Sequence, residues 1–246
     1  MLLEVSGYSL YDIPTHGFEF ARDKVRRWCF HMSHDGSTRI LIADDFPIIR
    51  HGLRQILMRH FNDSVFGEAS NCRELVKLVR QAPWDIAILE ICMPGKSGFD
   101  TLKEVKSIRP EMSLLVLSMY PEDQFAERAI ISGADGYLNK AAPLDELIGA
   151  IKKVLGGGKY ISNTWAEGLV SRLKHGLHKL PHESLSDREY QVMILTASGK
   201  TLTEMAEELS LSVKTISTYR TRTLQKMRMR TNAELIRYTL QEVLSR

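Results

Sequence analysis

Between residues 39 and 155 five short apolar runs alternate with stretches of helical periodicity, and nothing else in the chain limits its fold so tightly. The runs are RILIAD (39–44), SVFGEA (64–69), DIAILE (85–90), SLLVLS (113–118) and ADGYLN (134–139). Nearly continuous apolar runs of this length suit strands covered on both faces, as in a parallel sheet. The stretches between them carry helical stripes: Ile48, Leu53, Ile56 and Leu57; Leu75, Leu78 and Val79; Leu102 and Val105; Ala126, Ala129 and Ile130; and finally Leu144, Leu147, Ile148 and Ile151. Five strand–helix units predict a doubly wound α/β domain with a five-stranded parallel sheet. Ligand chemistry in such a fold belongs at the carboxyl ends of the strands.

The alternation stops at Leu155. Gly156-Gly157-Gly158 reads as a helix terminator and a flexible joint. A helix is expected over 165–174, then a linker, HGLHKLPHES, over 175–184. From Ser186 onward the periodicity is helical only. Ser186…Glu189, Thr201…Glu204 and Thr231…Glu234 each match the Ser/Thr-x-x-Glu capping box, and Ser212 caps a further helix, so four helices are predicted. The expected organisation is an extension of unknown role (1–37), the α/β domain (38–155), a linker with a helix (156–183) and an all-α domain (184–246). The 246 residues have room for both domains. Met32, just ahead of the first strand, would serve equally well as a start.

Cys29, Cys72 and Cys92 are too few and too scattered for a disulfide framework, which points to a reducing compartment. No apolar run has the roughly eighteen residues a membrane span needs. The first residues have neither a basic start nor a long apolar stretch, so a signal peptide is not expected. The chain is therefore read as cytoplasmic, with no membrane partner.

Polar groups sit just past the strands of the α/β domain: Asp44-Asp45 after the first, Glu90 after the third, Ser118 at the end of the fourth, and Asn139-Lys140 after the fifth. All point to one edge of the sheet. Three carboxylates converging there would repel one another. A hard divalent cation such as Mg²⁺, together with Lys140, would relieve the repulsion.

Residues 38–155 resemble a response-regulator receiver domain, of flavodoxin-like fold, through ILIADDFPIIRHGL, LEICMPGKSGFD, LSMY and GADGYLNKAAP. The resemblance implies that Asp44 and Asp45 are the Mg²⁺-binding acidic pair, with Glu90 and the Cys92 carbonyl as further ligands. It makes Ser118 the hydroxyl that bonds an acceptor phosphoryl group, Tyr137 the aromatic switch residue, and Lys140 the cation for the phosphoryl oxygens. The departure is Glu90, which stands where the family has its phosphoacceptor aspartate. Glutamate carries the carboxylate farther from the backbone by one C–C bond, about 1.5 Å. That displacement argues against efficient phosphorylation and puts a fixed charge nearer Ser118 and Lys140. An aspartyl phosphate brings about −1.5 to −2 charge, so the imitation is partial. Glu90 is read as a phosphomimetic replacement of aspartate or as a naturally atypical receiver; the intact surroundings favour replacement. A redox role for Cys92 is not expected, because nearby carboxylates raise a thiol pKa.

In the all-α domain Leu202, Met205, Ala206 and Leu209 form one apolar stripe and Val213, Ile216, Leu224 and Met227 another, joined by a turn at residues 209–212. This is a helix-turn-helix pattern, whose second helix enters the DNA major groove. Opposite that helix's apolar stripe lie Lys214, Ser217, Thr218, Thr221 and Gln225, flanked by Arg220, Arg222 and Lys226. No acidic residue occurs from Leu209 to Ala233, the one-sided charge expected of a phosphate-binding face. Residues 184–246 resemble the LuxR-type helix-turn-helix of NarL/FixJ response regulators. The resemblance makes Lys214, Thr215, Thr218, Arg220 and Arg222 the best candidates for phosphate and base contacts. It also implies a final helix, 231–244, that supports a DNA-bound dimer; its apolar side is expected to be Ala233, Ile236, Leu240 and Val243.

The function expected is transcriptional regulation in a two-component system. The partners would be promoter half-sites in double-stranded DNA, a second copy of the chain on that DNA, and a sensor histidine kinase where the native receiver can be phosphorylated. The linker over 156–184 is expected to convey restraint from receiver to DNA-binding domain. A protein-binding adaptor with little DNA-binding activity is the alternative, and the basic recognition helix argues against it. An enzyme is not expected, since no glycine-rich phosphate loop and no Ser/His/Asp set stand out.

Overall fold

Five parallel strands in the order β2-β1-β3-β4-β5 form the sheet of the computed structural model: β1 Arg39–Ala43, β2 Val65–Ala69, β3 Ile86–Leu89, β4 Ser113–Ser118 and β5 Gly136–Asn139. The structure describes residues 37–93, 97–162, 165–166 and 180–243. The extension before residue 37, most of the expected linker helix and part of the loop after β3 fall outside the described residues. Trp165 and Ala166 are helical. Among the described residues no helix is long and apolar enough to cross a membrane.

The strands fall on the five apolar runs. Burial on both faces holds throughout β3 and β4 and over nearly all of β1. It fails for β2, where only Ala69 is buried. β2 is an edge strand, and an edge strand is covered on fewer sides. Around the sheet lie α1 Pro47–His60, α2 Cys72–Gln81, α3 Gly98–Ile108, α4 Glu122–Ile131 and α5 Leu144–Leu155. One layer packs Leu75, Val79, Leu102, Val105, Phe125 and Ala129 against Leu41, Leu89 and Val116. The other packs Leu53, Leu57, Ile148 and Ile151 against Ile40, Ile42, Ile88 and Leu115. Ile48 was expected in the core and is 75% exposed. The stripe that docks is Ile49, Leu53, Ile56 and Leu57, spaced i, i+4, i+7, i+8, and Ile48 stands one position off it. Leu144, in the first turn of α5, is likewise exposed.

The chain beyond the three glycines is held more firmly than a flexible joint. Tyr160 N–H donates to the Asp135 carbonyl (2.8 Å) and pairs beside Gly136 on the edge of β5. A Cβ on Gly136 would lie 2.9 Å from that of Tyr160, so glycine permits this close approach. Lys159 Nζ reaches the Asp135 carboxylate (2.8 Å), the Tyr160 hydroxyl donates to Glu146 (2.6 Å), and Ser162 N–H donates to Glu122 (3.1 Å).

The C-terminal part begins with a 3-10 turn, Pro181–Ser184, followed by α6 Asp187–Ala197, α7 Leu202–Glu208, α8 Val213–Lys226 and α9 Asn232–Glu242. Ser186 and Thr201 head complete capping boxes, and Ser212 accepts from Thr215 N–H. At Thr231 only half of the box forms: its hydroxyl accepts from Glu234 N–H, but the Glu234 carboxylate turns to the Arg230 N–H (2.8 Å). Two expected stripes also shift. Val213 is exposed in the first turn of α8. On α9 the buried side is Leu235, Thr239 and Val243, spaced by four, while Ala233 and Leu240 face outward.

Candidate functional site

The parallel register brings the carboxyl ends of β1, β3, β4 and β5 to one rim, and the strand-end groups meet there. Asp44 and Glu90 are 2% and 6% exposed, and Ser118 is fully buried. Ser118 Oγ donates to Glu90 Oε1 (2.8 Å), which also accepts the Cys92 N–H (3.0 Å). Lys140 Nζ lies 3.0 Å from Glu90 Oε2 and pairs with Asp44 Oδ2 on its other side. The remaining Asp44 oxygen accepts the Phe46 N–H (2.9 Å). The Glu90 carboxylate therefore contacts Ser118 and Lys140 together. Burial opposes charge on Lys140, but Glu90 and Asp44 outweigh it and raise its pKa above the ordinary lysine value. Asp45 is more open; burial, and then Asp44 beside it, hold its carboxyl above the usual range.

The donor chemistry of this rim, hard carboxylate oxygens, suits a hard divalent cation. Its centre, however, is held by the Lys140 ammonium. Among the described residues no three Asp, Glu, His or Cys side chains converge closely enough to hold a metal ion.

Tyr137 is fully buried, and its hydroxyl donates to the Tyr120 carbonyl (2.9 Å), which also accepts from Asn139 Nδ2 (3.1 Å). Tyr120 N–H approaches Ser118 Oγ (3.4 Å). The loop after β4 is thus tied both to the acidic rim and to Tyr137.

That loop and its neighbours also meet the C-terminal helices, through residues that, Cys92 apart, the sequence reading did not single out. The Tyr120 hydroxyl donates to the Glu208 carboxylate at the end of α7, which Lys200 also pairs. Gln191 Nε2, fully buried on α6, donates to Cys92 Sγ (3.1 Å). Burial, and then Glu90, push the Cys92 thiol well above its ordinary value, which fits a packed, unreactive side chain. On α4, Arg128 donates to the carbonyls of Leu185 (3.0 Å) and His182 (2.9 Å) and to Asp187 (3.2 Å), and lies over the Tyr190 ring at 4.1 Å. Phe125 meets the same ring edge-on (5.5 Å), and Lys103 stands 3.6 Å from Asp187. The receiver and the C-terminal helices therefore meet also through α3, α4 and the two loops of the acidic rim. A hint existed in the sequence: Gln191 interrupts a helix otherwise rich in core residues, and such a polar residue needs a partner when buried.

The candidate DNA-contact residues all lie on α8. Lys214, Thr218, Thr221, Arg222 and Lys226 are exposed, while Thr215, Ser217 and Arg220 are half-buried. Thr218 and Thr221 hydroxyls donate to carbonyls one turn back (3.0 Å each), which leaves their oxygens able to accept. Lys226 stands apart. Its ammonium lies 2.6 Å from Glu189 Oε2, the carboxylate of the α6 capping box, and ties the end of α8 to the start of α6.

Two family models match the chain: the response regulator receiver domain over residues 40–152, and the luxR family of bacterial regulatory proteins over residues 183–239. The response regulator GacA of Pseudomonas aeruginosa is 31% identical, over 80% of this chain and 92% of its own length. The fimbriae Z protein of Salmonella typhimurium is 34% identical, over 81% of this chain and 94% of its own. Among solved structures, the two-component response regulator RcsB in complex with DNA matches with a TM-score of 0.52 and 25% identity, over 84% of this chain and 99% of that one. RcsB of Salmonella typhimurium, solved in a study of its conformational dynamism for DNA interaction, matches with a TM-score of 0.51 and 25% identity, over 83% of this chain and 98% of that one.

Proposed function

This chain belongs to the two-component response regulators that join a receiver domain to a LuxR-type DNA-binding domain, and we propose that it regulates transcription with Glu90 standing in for a phosphorylated aspartate. One observation carries the reading. The Glu90 carboxylate holds both the Ser118 hydroxyl and the Lys140 ammonium, the two groups that by resemblance hold an acceptor phosphoryl. One charge and two oxygens replace about −1.5 to −2 charge and three oxygens, so the bias towards the activated arrangement is incomplete. A sensor kinase would then act on this receiver only where aspartate stands at position 90.

Mg²⁺, which receivers generally bind, belongs to the same proposal. Asp44, Asp45, Glu90 and the Cys92 carbonyl would hold it, and it would neutralise charge at the rim. On the output side, Lys214, Thr215, Ser217, Thr218, Arg220, Thr221 and Arg222 would touch phosphates and base edges of promoter half-sites. Lys226, committed to Glu189, would contribute mainly to the fold of the domain. RcsB is solved as dimers bound to DNA, and a DNA-bound homodimer in the cytoplasm is proposed here by that likeness.

The test is labelling by radioactive acetyl phosphate, beside DNA binding with and without the donor. This chain should take up no label and bind DNA equally in both conditions. The Glu90→Asp variant should take up label and bind more tightly when phosphorylated. Robust labelling of the parent chain would refute the reading.

A further inference from the structure

We infer that the DNA-binding domain engages DNA while still docked on the receiver, because the docked arrangement leaves the recognition helix α8 open. The inference rests on the DNA-binding reading above and goes beyond it by assigning the state that binds.

Among the described residues the polar and ring contacts of the interface come from elements other than α8. Asp187, Tyr190 and Gln191 of α6, Leu185 and His182 just before it, and Glu208 at the end of α7 supply the polar and ring contacts to the receiver. Helix α6 is buried from Arg188 to Thr196. It is therefore a slab, with the receiver on one side and α8 and α9 on the other. Helix α8 fastens to the slab from behind: Thr223 Oγ1 donates to the Glu189 carbonyl (3.2 Å), Lys226 pairs with the Glu189 carboxylate, and Ile216 is buried in the core shared with Val192 and Leu195.

What remains outward on α8 is the face the sequence marks for DNA. Lys214, Thr218, Thr221 and Arg222 are exposed with the domain docked. Among the described residues no hydrogen bond or ion pair joins α8 to the receiver. A masking interface would need the reverse, recognition side chains spent on receiver partners, whose breaking would precede DNA contact. Here the contacts that tie the domain down and the contacts that would hold DNA are made by different residues. Release from the receiver is then not a precondition for binding. The acidic rim, which reaches the interface through Tyr120 and Cys92, would set the orientation in which α8 is presented.

The experiment locks the docked state covalently in the full chain. Lys103→Cys and Asp187→Cys, in a Cys29→Ser background, are joined by a short bis-maleimide; these positions face each other across the interface and lie off α8. The probe is a fluorescent duplex pool enriched from random sequence by the unlocked variant, with binding followed by anisotropy. The expected result is a locked protein that binds within about tenfold of the unlocked one, less than one standard step of 1.4 kcal/mol. A larger loss on locking, with the unlocked variant still binding, overturns the inference alone. Failure of both overturns the DNA-binding reading and the inference with it. A dithiol-cleavable version of the linker guards against damage by the reagent: binding regained on reduction assigns the loss to the lock and overturns the inference. If a loss persists after reduction, the reagent has damaged the protein, and locking the domains through Tyr120→Cys and Glu208→Cys, which also face each other off α8, decides by the same criterion.

Discussion

Replacing Arg128 by alanine should detach the DNA-binding domain from the receiver while leaving both folded. Arg128 is the most heavily engaged side chain of the interface, with donors on two carbonyls and one carboxylate and its plane over the Tyr190 ring. Its side chain is 16% exposed, so solvent screens these contacts only in part. A hydrogen bond to or from a charged group contributes about 1.5–3 kcal/mol, and a cation over an aromatic face about 0.5–2 kcal/mol. These terms do not add, because one side chain makes them all. A realistic total for truncation is about 3–5 kcal/mol, the range of an interface hot spot. Every 1.4 kcal/mol is tenfold, so even about 3 kcal/mol lowers the docked-to-undocked ratio more than a hundredfold. The linker supplies only a millimolar effective concentration to oppose that loss. Small-angle scattering should show a compact parent and an extended Arg128→Ala variant, with far-UV circular dichroism unchanged. Arg128→Lys should fall between them, since it keeps the charge for Asp187 but lacks the planar fork that reaches two carbonyls at once. Superimposable scattering curves for parent and Arg128→Ala, or a parent that is already extended, would refute the reasoning.

Lys214→Ala and Arg222→Ala should each weaken DNA binding roughly tenfold by gel shift, as loss of a phosphate or base contact does. Lys226→Ala should change affinity little and instead cost up to about 1 kcal/mol in urea unfolding, the small value reflecting an ammonium that is half in solvent. Asp135→Asn should flatten the acid limb of the stability profile: burial raises the Asp135 pKa, but Lys106, Lys159 and the Leu114 N–H outweigh it and hold it below the ordinary 3.8. A depressed carboxyl stabilises the fold above its unfolded pKa and loses that contribution as pH falls through the folded value; urea midpoints between about pH 4 and pH 2 should therefore fall more steeply for the parent. Ser186→Ala, which breaks a reciprocal capping box, should cost about 1–2 kcal/mol, and Thr231→Ala, where one half is already absent, about half as much; equal midpoint shifts in thermal melts would count against the distinction.

The strands were legible because a doubly wound sheet buries its central members on both faces, and the runs around Leu41, Ile88 and Leu115 are apolar at every position between their polar ends. Edge strand β2 was legible as a strand but not as an edge, since position in a sheet is set by pairing and not by local pattern. The acidic rim could be read from residue type at strand ends, because parallel strands deliver their carboxyl ends to one side. What the sequence pattern did not disclose was how the charges are shared. That Lys140 bridges Asp44 and Glu90 depends on side-chain reach, which spacing along the chain does not encode. The clasp of Arg128 on Tyr190 and Asp187 joins residues about sixty positions apart, and each alone reads as an ordinary helix surface residue. Helix faces were misjudged at Ile48, Val213 and Leu240 for one reason: near a helix end, or where two stripes compete, tertiary contacts choose the buried face.

The pairing of Tyr160 beside Gly136 also bears on how the molecule behaves in a crowded solution. An open sheet has two borders, each with a row of unpaired backbone groups that could template addition of a strand from another chain. At β5 the returning chain fills part of that row with its own backbone. At β2 the protection is of a different kind: Glu68, flanked by Arg50 and Arg54, places charge where a foreign strand would have to lie flat. The sheet is thus guarded against edge-to-edge aggregation at both borders by the receiver and the first residues after it. That guard stays in place whichever position the DNA-binding domain takes.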